Sequence, residues 1–142
     1  YWKRAEESAK AFVEKGGQRW MRTGDLVRMD AEGYFHFYDR SKDLIKFKGY
    51  SIFAKDVEDV LYGHPQVKAA GVIGVPDERH GEVGMAFIVR RPGSMLAADD
   101  IIQWSREQMA NYKVPRRIEI VTEFPLNSTG KVMKDELKAR VS

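Results

Sequence analysis

The sequence contains no cysteine. Disulfide staples and thiolate metal ligands are thereby excluded. Histidine is scarce as well: His36, His64 and His80 are too scattered to suggest a metal site, so metal binding by this chain alone is not expected. Long apolar runs are also missing. None approaches the ~20 residues that a membrane-spanning helix needs, and Tyr1-Trp2-Lys3-Arg4-Ala5-Glu6-Glu7 lacks the apolar core of a signal peptide. A cytoplasmic location is the resulting expectation. Apart from Phe47 and Tyr50, no aromatic residues interleave the basic clusters as a base-stacking platform requires, so nucleic acid is not an expected partner.

What the chain does contain is ordinary globular material. Its 142 residues, 43% hydrophobic and 32% charged, suffice for one good core, or one core with an appendage. The net charge of +3 is mild but uneven. Arg40, Lys42, Lys46 and Lys48 crowd one segment, and Lys113, Arg116 and Arg117 another. Anionic small molecules are plausible partners for such clusters.

Periodicity predicts an α+β fold: a small mixed β-sheet with flanking helices, plus an N-terminal β-hairpin. Glu6 to Val13 has helical character, and Gly16-Gly17 is expected to stop it. Leu26 to Met29 and Tyr34 to Tyr38 flank Asp30-Ala31-Glu32-Gly33, a hairpin turn with glycine where φ is positive. A tighter hairpin joins Leu44–Phe47 to Tyr50–Phe53 through Lys48-Gly49. Between the hairpins, Asp39 to Asp43 is polar and unpatterned, the expected place for a hinge. Val57, Val60 and Leu61 mark an amphipathic helix over residues 55 to 62. Val67–Val75 and Val83–Arg90 read as buried paired strands. Asp99 or Asp100 is placed to cap a helix reaching about Met109. Arg117 to Val121 returns as a strand, and Met133, Leu137 and Val141 give a last helix. Trp20, Trp104 and Tyr112 are read as packing residues.

One loop stands apart. Pro125-Leu126-Asn127-Ser128-Thr129-Gly130-Lys131 is rich in turn formers and ends in a lysine, one short helix from the C-terminus. An ammonium on such a turn is a mobile point charge with three donors, suited to a phosphate or carboxylate. Spacing alone leaves a merely solvated lysine as the alternative.

Read in order, the motifs resemble the C-terminal portion of an adenylate-forming, AMP-binding ligase, most like a fatty acyl-CoA synthetase. The resemblance spans essentially the whole chain. It rests on Tyr1-Trp2-Lys3 with Ala9 and Phe12, Arg22-Thr23-Gly24-Asp25-Leu26, and Asp39-Arg40-Ser41-Lys42-Asp43-Leu44-Ile45-Lys46 with Gly49-Tyr50. Val75-Pro76-Asp77 with Gly81-Glu82, Tyr112-Lys113-Val114-Pro115 and Gly130-Lys131 complete it. The resemblance implies that residues 1–39 are the tail of a large N-terminal adenylation domain, 40–43 a hinge, and 44–142 a small lid domain.

It implies a two-step reaction in which a carboxylic acid and ATP give an acyl-adenylate, after which a thiol, usually coenzyme A, displaces AMP. Asp25 would accept hydrogen bonds from the ribose hydroxyls and Arg40 would reach the nucleotide. Lys131 would counter charge at the substrate carboxylate and α-phosphate. Rotation about Lys42 would then withdraw Lys131 and present Lys46, with Gly49 leaving room for the pantetheine chain of CoA. The phosphate loop, the acyl pocket and the carboxylate ligand for Mg2+ belong to the large domain, the expected partner, so the chain alone is expected to be inactive. The β-hairpin, without that partner, is expected to expose apolar surface and to favour a homodimer of the fragment. Asn127 stands where the family has Thr, Ala54 where it has Pro, Asp39 where it usually has Gly, and Lys134, in place of an expected Arg, is given no role.

Other readings of the same residues are a turn cap for Asp25, a surface pair of Arg40 with Asp39 or Asp43, and a water-facing strand position for Lys46. A rival for the whole chain is a binding module that holds a nucleotide or acyl carrier without catalysis. Within the enzyme class, an adenylating ligase with another acceptor is the alternative.

Overall fold

The computed structural model describes residues 1–141. The chain divides into two compact units, Tyr1–Lys42 and a second beginning at Asp43.

The first unit contains one short helix and two separate hairpins. Helix α1 spans Ala5–Ala11, with Glu6 and Glu7 in its first turn, where carboxylates complement the helix dipole. It ends earlier than the helical pattern suggested. Phe12 and Val13, aromatic and β-branched, begin strand β1 (Phe12–Lys15), which pairs antiparallel with β2 (Gln18–Met21). Gly16 and Gly17 are therefore the two turn residues of a hairpin, at φ 62° and 73°, rather than a helix stop. Strands β3 (Asp25–Met29) and β4 (Phe35–Arg40) form the second hairpin with a bulge at Leu26/Val27. At its turn the Asp30 carboxylate accepts hydrogen bonds from the backbone N–H groups of Glu32 and Tyr34 and from His36. Those bonds, His36 first, hold its carboxyl below the ordinary value.

In the second unit, hairpin β5 (Leu44–Phe47) and β6 (Tyr50–Phe53) leads into α2 (Ala54–Tyr62). Strands β7 (Val67–Asp77) and β8 (Gly81–Arg90) then pair along their whole length. Helix α3 (Ala98–Gln108), strand β9 (Arg117–Val121) and α4 (Lys134–Ala139) follow. The sheet order is β6-β5-β8-β7, with β9 added parallel to β8. One edge of β8 thus serves two neighbours: Gly81 meets Phe47 of β5, while Met85 to Val89 pair with β9. The sheet is mixed, as the sequence predicts.

Residues Val83 to Val89 are buried without alternation, the pattern of a strand covered on both faces. Ile45, Ile52, Val57, Leu61, Val72, Ile73, Phe87, Ile88, Ile101 and Leu137 form the centre of the core. Each fully buried aliphatic side chain contributes about 1.5–3 kcal/mol. Leu137 brings α4 onto β7, where a Cβ on Gly71 would lie 3.5 Å from its Cδ1 and 3.3 Å from Phe124. The capping of α3 differs in detail from expectation: Ala97 is the N-cap, and the Asp100 carboxylate accepts its backbone N–H at 3.0 Å. Trp104 packs against the core and Tyr112 stacks on Tyr50 at 4.8 Å. Trp20 does not pack as expected and is 53% exposed.

Candidate functional site

Thr23 and Gly24 lead into β3, and register places Asp25 directly across from Arg40 on β4. The guanidinium Nε of Arg40 lies 3.3 Å from Asp25 Oδ1. Its Nη2 donates to the Thr23 carbonyl at 3.2 Å, and the Asp25 N–H donates to Thr23 Oγ1 at the same distance. Arg40 is therefore oriented by the Thr-Gly-Asp segment and not by Asp39 or Asp43. Both side chains keep water contact, with 52% and 33% exposure, which leaves acceptor and donor capacity for a ligand. A hydroxyl pair that donates to the carboxylate and an anion that meets the guanidinium fit this arrangement.

The segment between the hairpins is more structured than its polarity suggested. Arg40 ends β4, and Ser41–Asp43 form a single 3-10 turn. Asp39 and Asp43 are buried, while Lys42 is exposed. Within the first unit, Asp39 Oδ1 accepts the Arg40 N–H at 2.8 Å. Within the second, Asp43 lies 4.0 Å from Lys138 of α4. Lys42 is the last residue of the first unit.

Lys46 and Gly49 share the β5–β6 hairpin. Ile45 and Phe47 point into the core, so period-2 alternation turns Lys46 to solvent. Lys48 and Gly49 both have positive φ, 46° and 83°, as a type I′ turn demands. A Cβ on Gly49 would meet nothing within 4 Å, so within this chain it is the backbone conformation that calls for glycine.

The Lys131 loop closes on itself. Asn127 N–H donates to the Lys131 carbonyl and Gly130 N–H to the Asn127 carbonyl, both at 2.9 Å, with Leu126 bridging Val132 outside them. Asn127 Oδ1 then accepts three donors: Thr129 N–H at 3.0 Å, Thr129 Oγ1 at 2.8 Å and Lys131 N–H at 2.9 Å. Gly130 supplies the positive φ of 77°. The backbone of Lys131 is thus held firmly while its side chain reaches solvent.

Behind the loop, α4 is anchored. Lys134 Nζ meets Glu58 Oε1 at 2.8 Å with both side chains about one-sixth exposed, and Glu58 also accepts the Val72 N–H at 2.7 Å. Such a shielded, hydrogen-bonded pair constrains geometry more than the exposed Lys55–Asp59 pair of α2, a type worth about 0.5 kcal/mol. Asn127, Glu58 and Lys134 were assigned nothing from the sequence. Only Asn127 carries a local signal, since Asn two residues before Thr-Gly is Asx-turn composition.

Asp25 and Arg40 are brought together, Lys46 and Gly49 lie on one hairpin, and Lys131 stands alone. Among the described residues, the ammonium groups of Lys46 and Lys131 meet neither each other nor a carboxylate. Two unneutralised ammonium groups on separate elements can each meet an anion supplied from elsewhere. An open recess of about 480 Å3 lined by Asp56, Asp59, Met109, Tyr112 and Lys113 contains none of these residues. Among the described residues, no group of three His, Cys, Asp or Glu is arranged to hold a metal ion, and no helix is long and apolar enough to cross a membrane.

Comparison with known proteins fits this geometry. Residues 56–131 match the AMP-binding enzyme C-terminal domain family. A feruloyl-CoA synthase of an Amycolatopsis species is 43% identical over 140 residues, which cover 99% of this chain and 28% of that protein. The ATP-bound MatB structure from Rhodopseudomonas palustris matches with a TM-score of 0.86 at 31% identity, over 99% of this chain and 27% of that one. A Mycobacterium tuberculosis fatty acyl CoA synthetase matches with a TM-score of 0.71 at 34% identity, over 99% and 27%. The chain therefore spans little more than a quarter of the length of these relatives. It belongs to the AMP-binding enzyme C-terminal domain family, the small α+β domain of adenylate-forming CoA ligases.

Proposed function

We propose that the chain is the C-terminal portion of an acyl-CoA synthetase, in which residues 44–142 act as a lid that rotates about Lys42 between two half-reactions. In the first, a carboxylate oxygen attacks the α-phosphorus of ATP and pyrophosphate leaves. Two anions must meet for this to occur. A cation at the developing charge lowers that barrier, and Lys131, on its self-closed loop, supplies one without serving as a nucleophile. Asp25 and Arg40 hold the ribose and the nucleotide.

In the second half-reaction the sulfur of coenzyme A attacks the acyl carbonyl, AMP leaves, and the thiol proton passes to solvent. Lys46 serves this step from the β5–β6 hairpin, and Gly49 lies where the pantetheine chain passes. The observation that carries the reading is the pair of solvent-facing, unpaired lysines on separate elements. A domain that rotates between two orientations would present one of them to the reacting atoms in each. Mg2+ and the acyl group are held by that part of the large N-terminal domain which this reading places outside the chain. The exposed apolar side chains of β3–β4, Met29 and Phe35 among them at 60% and 70%, belong to the face that this domain covers. A fragment lacking it associates with a second copy through the hairpin, and a monodisperse monomer in sedimentation would contradict that.

A fatty acid is the proposed substrate class, supported by the likeness to the fatty acyl CoA synthetase. The 43% identity to a feruloyl-CoA synthase favours a second reading, an aromatic acid. The test is AMP formation by the full-length protein with ATP, CoA and a panel of fatty and aromatic acids. Turnover of one class decides between the two, and no AMP with any acid sinks the enzyme reading. Tight binding of AMP or CoA to the isolated chain would instead support the non-catalytic binding module.

A further inference from the structure

In a two-residue hairpin the residues that flank the turn, here Phe47 and Tyr50, exchange hydrogen bonds with each other. The next pair, Lys46 and Ser51, therefore points its backbone N–H and C=O groups outward. For Lys46 that direction leads toward β8, yet β5 and β8 pair only at Phe47 and Gly81. The Lys46 N–H has no backbone carbonyl to meet. It donates instead to Glu82 Oε2, at 2.7 Å.

The surroundings of Glu82 are shaped for this contact. Glu82 faces Pro76 across the β7–β8 ladder, and its carboxylate turns over Gly74. A Cβ on Gly74 would lie 3.2 Å from Glu82 Oε2 and 3.4 Å from its Cδ. An alanine there would press the carboxylate by a few tenths of an ångström, and a longer side chain would displace it further. The two preceding residues complete a clamp: Lys48 N–H donates to the His80 carbonyl at 2.9 Å, and the His80 ring stacks on Phe47 at 5.0 Å. A short segment, His80 to Glu82, thereby fixes Lys46, Phe47 and Lys48 in succession. His80 is itself held by Asp77, 2.6 Å from its Nδ1.

We propose that Glu82 is a positioning residue for Lys46: its carboxylate replaces the missing strand partner and sets the direction in which the Lys46 side chain leaves β5. Gly74 is the space that lets it do so. The inference rests on the reading of Lys46 as the lysine of the thioester-forming step. Glu82 touches no reacting atom in this account; it acts through the Lys46 backbone alone.

The two half-reactions, measured separately in the full-length enzyme, test this. Adenylation is read as pyrophosphate release, and the second step as thioester formation from pre-formed acyl-adenylate and CoA. Glu82→Ala is expected to slow thioester formation by roughly ten- to a hundred-fold, the scale of a small misplacement of a catalytic group, and to leave adenylation within about twofold. Glu82→Gln keeps an oxygen acceptor and should restore most of the lost rate. Gly74→Ala, which presses the carboxylate by only a few tenths of an ångström, should give a smaller defect of the same kind, and combined with Glu82→Ala it should add nothing to that variant's defect, since both act on one contact. Equal loss of both half-reactions in Glu82→Ala would make Glu82 merely structural and overturn the proposal. So would a normal second step in Glu82→Ala while Lys46→Ala abolishes it. A normal second step in Lys46→Ala would remove the underlying reading of Lys46, and the proposal with it.

Discussion

Replacing Asn127 by alanine removes the one acceptor shared by Thr129 N–H, Thr129 Oγ1 and Lys131 N–H. All three bonds are exposed, so water compensates much of each, and three at about 0.5 kcal/mol amount to about 1.5 kcal/mol. Releasing the ordered Asn127 side chain returns about 0.5 kcal/mol of entropy. The net loss of about 1 kcal/mol corresponds to roughly a fivefold increase in the open population of the loop. The effect is local. The backbone bonds between Asn127 and Lys131 and from Gly130 to Asn127 remain, and α4 stays anchored through Lys134 and Leu137. Amide hydrogen exchange monitored by NMR reads such local opening directly. In Asn127→Ala the Thr129 and Lys131 amides should exchange about fivefold faster, with the β7–β8 amides unchanged. Asn127→Asp, which keeps the acceptor, should show wild-type protection. Unchanged exchange in the alanine variant, or a uniform loss of protection through the sheet, would refute the view that Asn127 closes this loop.

Two further outcomes follow from the same physical argument. Gly49→Ala forces an alanine to φ 83° in open space, so the cost is conformational, about 1–2 kcal/mol; the denaturant midpoint should fall at unchanged slope, and an unshifted midpoint would contradict the turn assignment. The hydrogen bond from His80 lowers the Asp77 carboxyl below 3.8 in the folded state, so its stabilising contribution is present above about pH 4 and is lost as pH falls through the folded value. The melting temperatures of wild type and Asp77→Asn should therefore converge as pH falls from 5 to about 3, and a constant gap between them would count against the pair.

Much of the second unit was legible because each of its elements obeys one period. Val57, Val60 and Leu61 recur at helical spacing, and Val83 to Val89 form an unbroken apolar run. Lys48-Gly49 carries the turn chemistry of a tight hairpin. The first unit was harder to read. Phe12 and Val13 continue a helical pattern from Ala9, and only the positive φ of Gly16 and Gly17 shows that the chain has already turned into a hairpin. Asp39 and Asp43 look like solvent-facing hinge residues, yet both are buried, and Asp43 lies beside Lys138 of α4, a neighbour that local sequence does not name. Of the candidate site, the individual lysines were legible from loop chemistry and family resemblance, but their supports were not. Glu82 meets Lys46 across 36 positions and Lys134 meets Glu58 across the packing of two helices on one strand. Such partners are chosen by the fold, and periodicity is silent about them.

The proposed mechanism divides the labour of one active site between two lysines. Its most direct test is the rate of each half-reaction in the full-length enzyme carrying Lys131→Ala or Lys46→Ala. Lys131→Ala should abolish pyrophosphate release yet convert supplied acyl-adenylate to thioester at near the wild-type rate, and Lys46→Ala should show the opposite pattern. If both variants lose the same half-reaction, or neither loses any, alternation about Lys42 is not how this protein works.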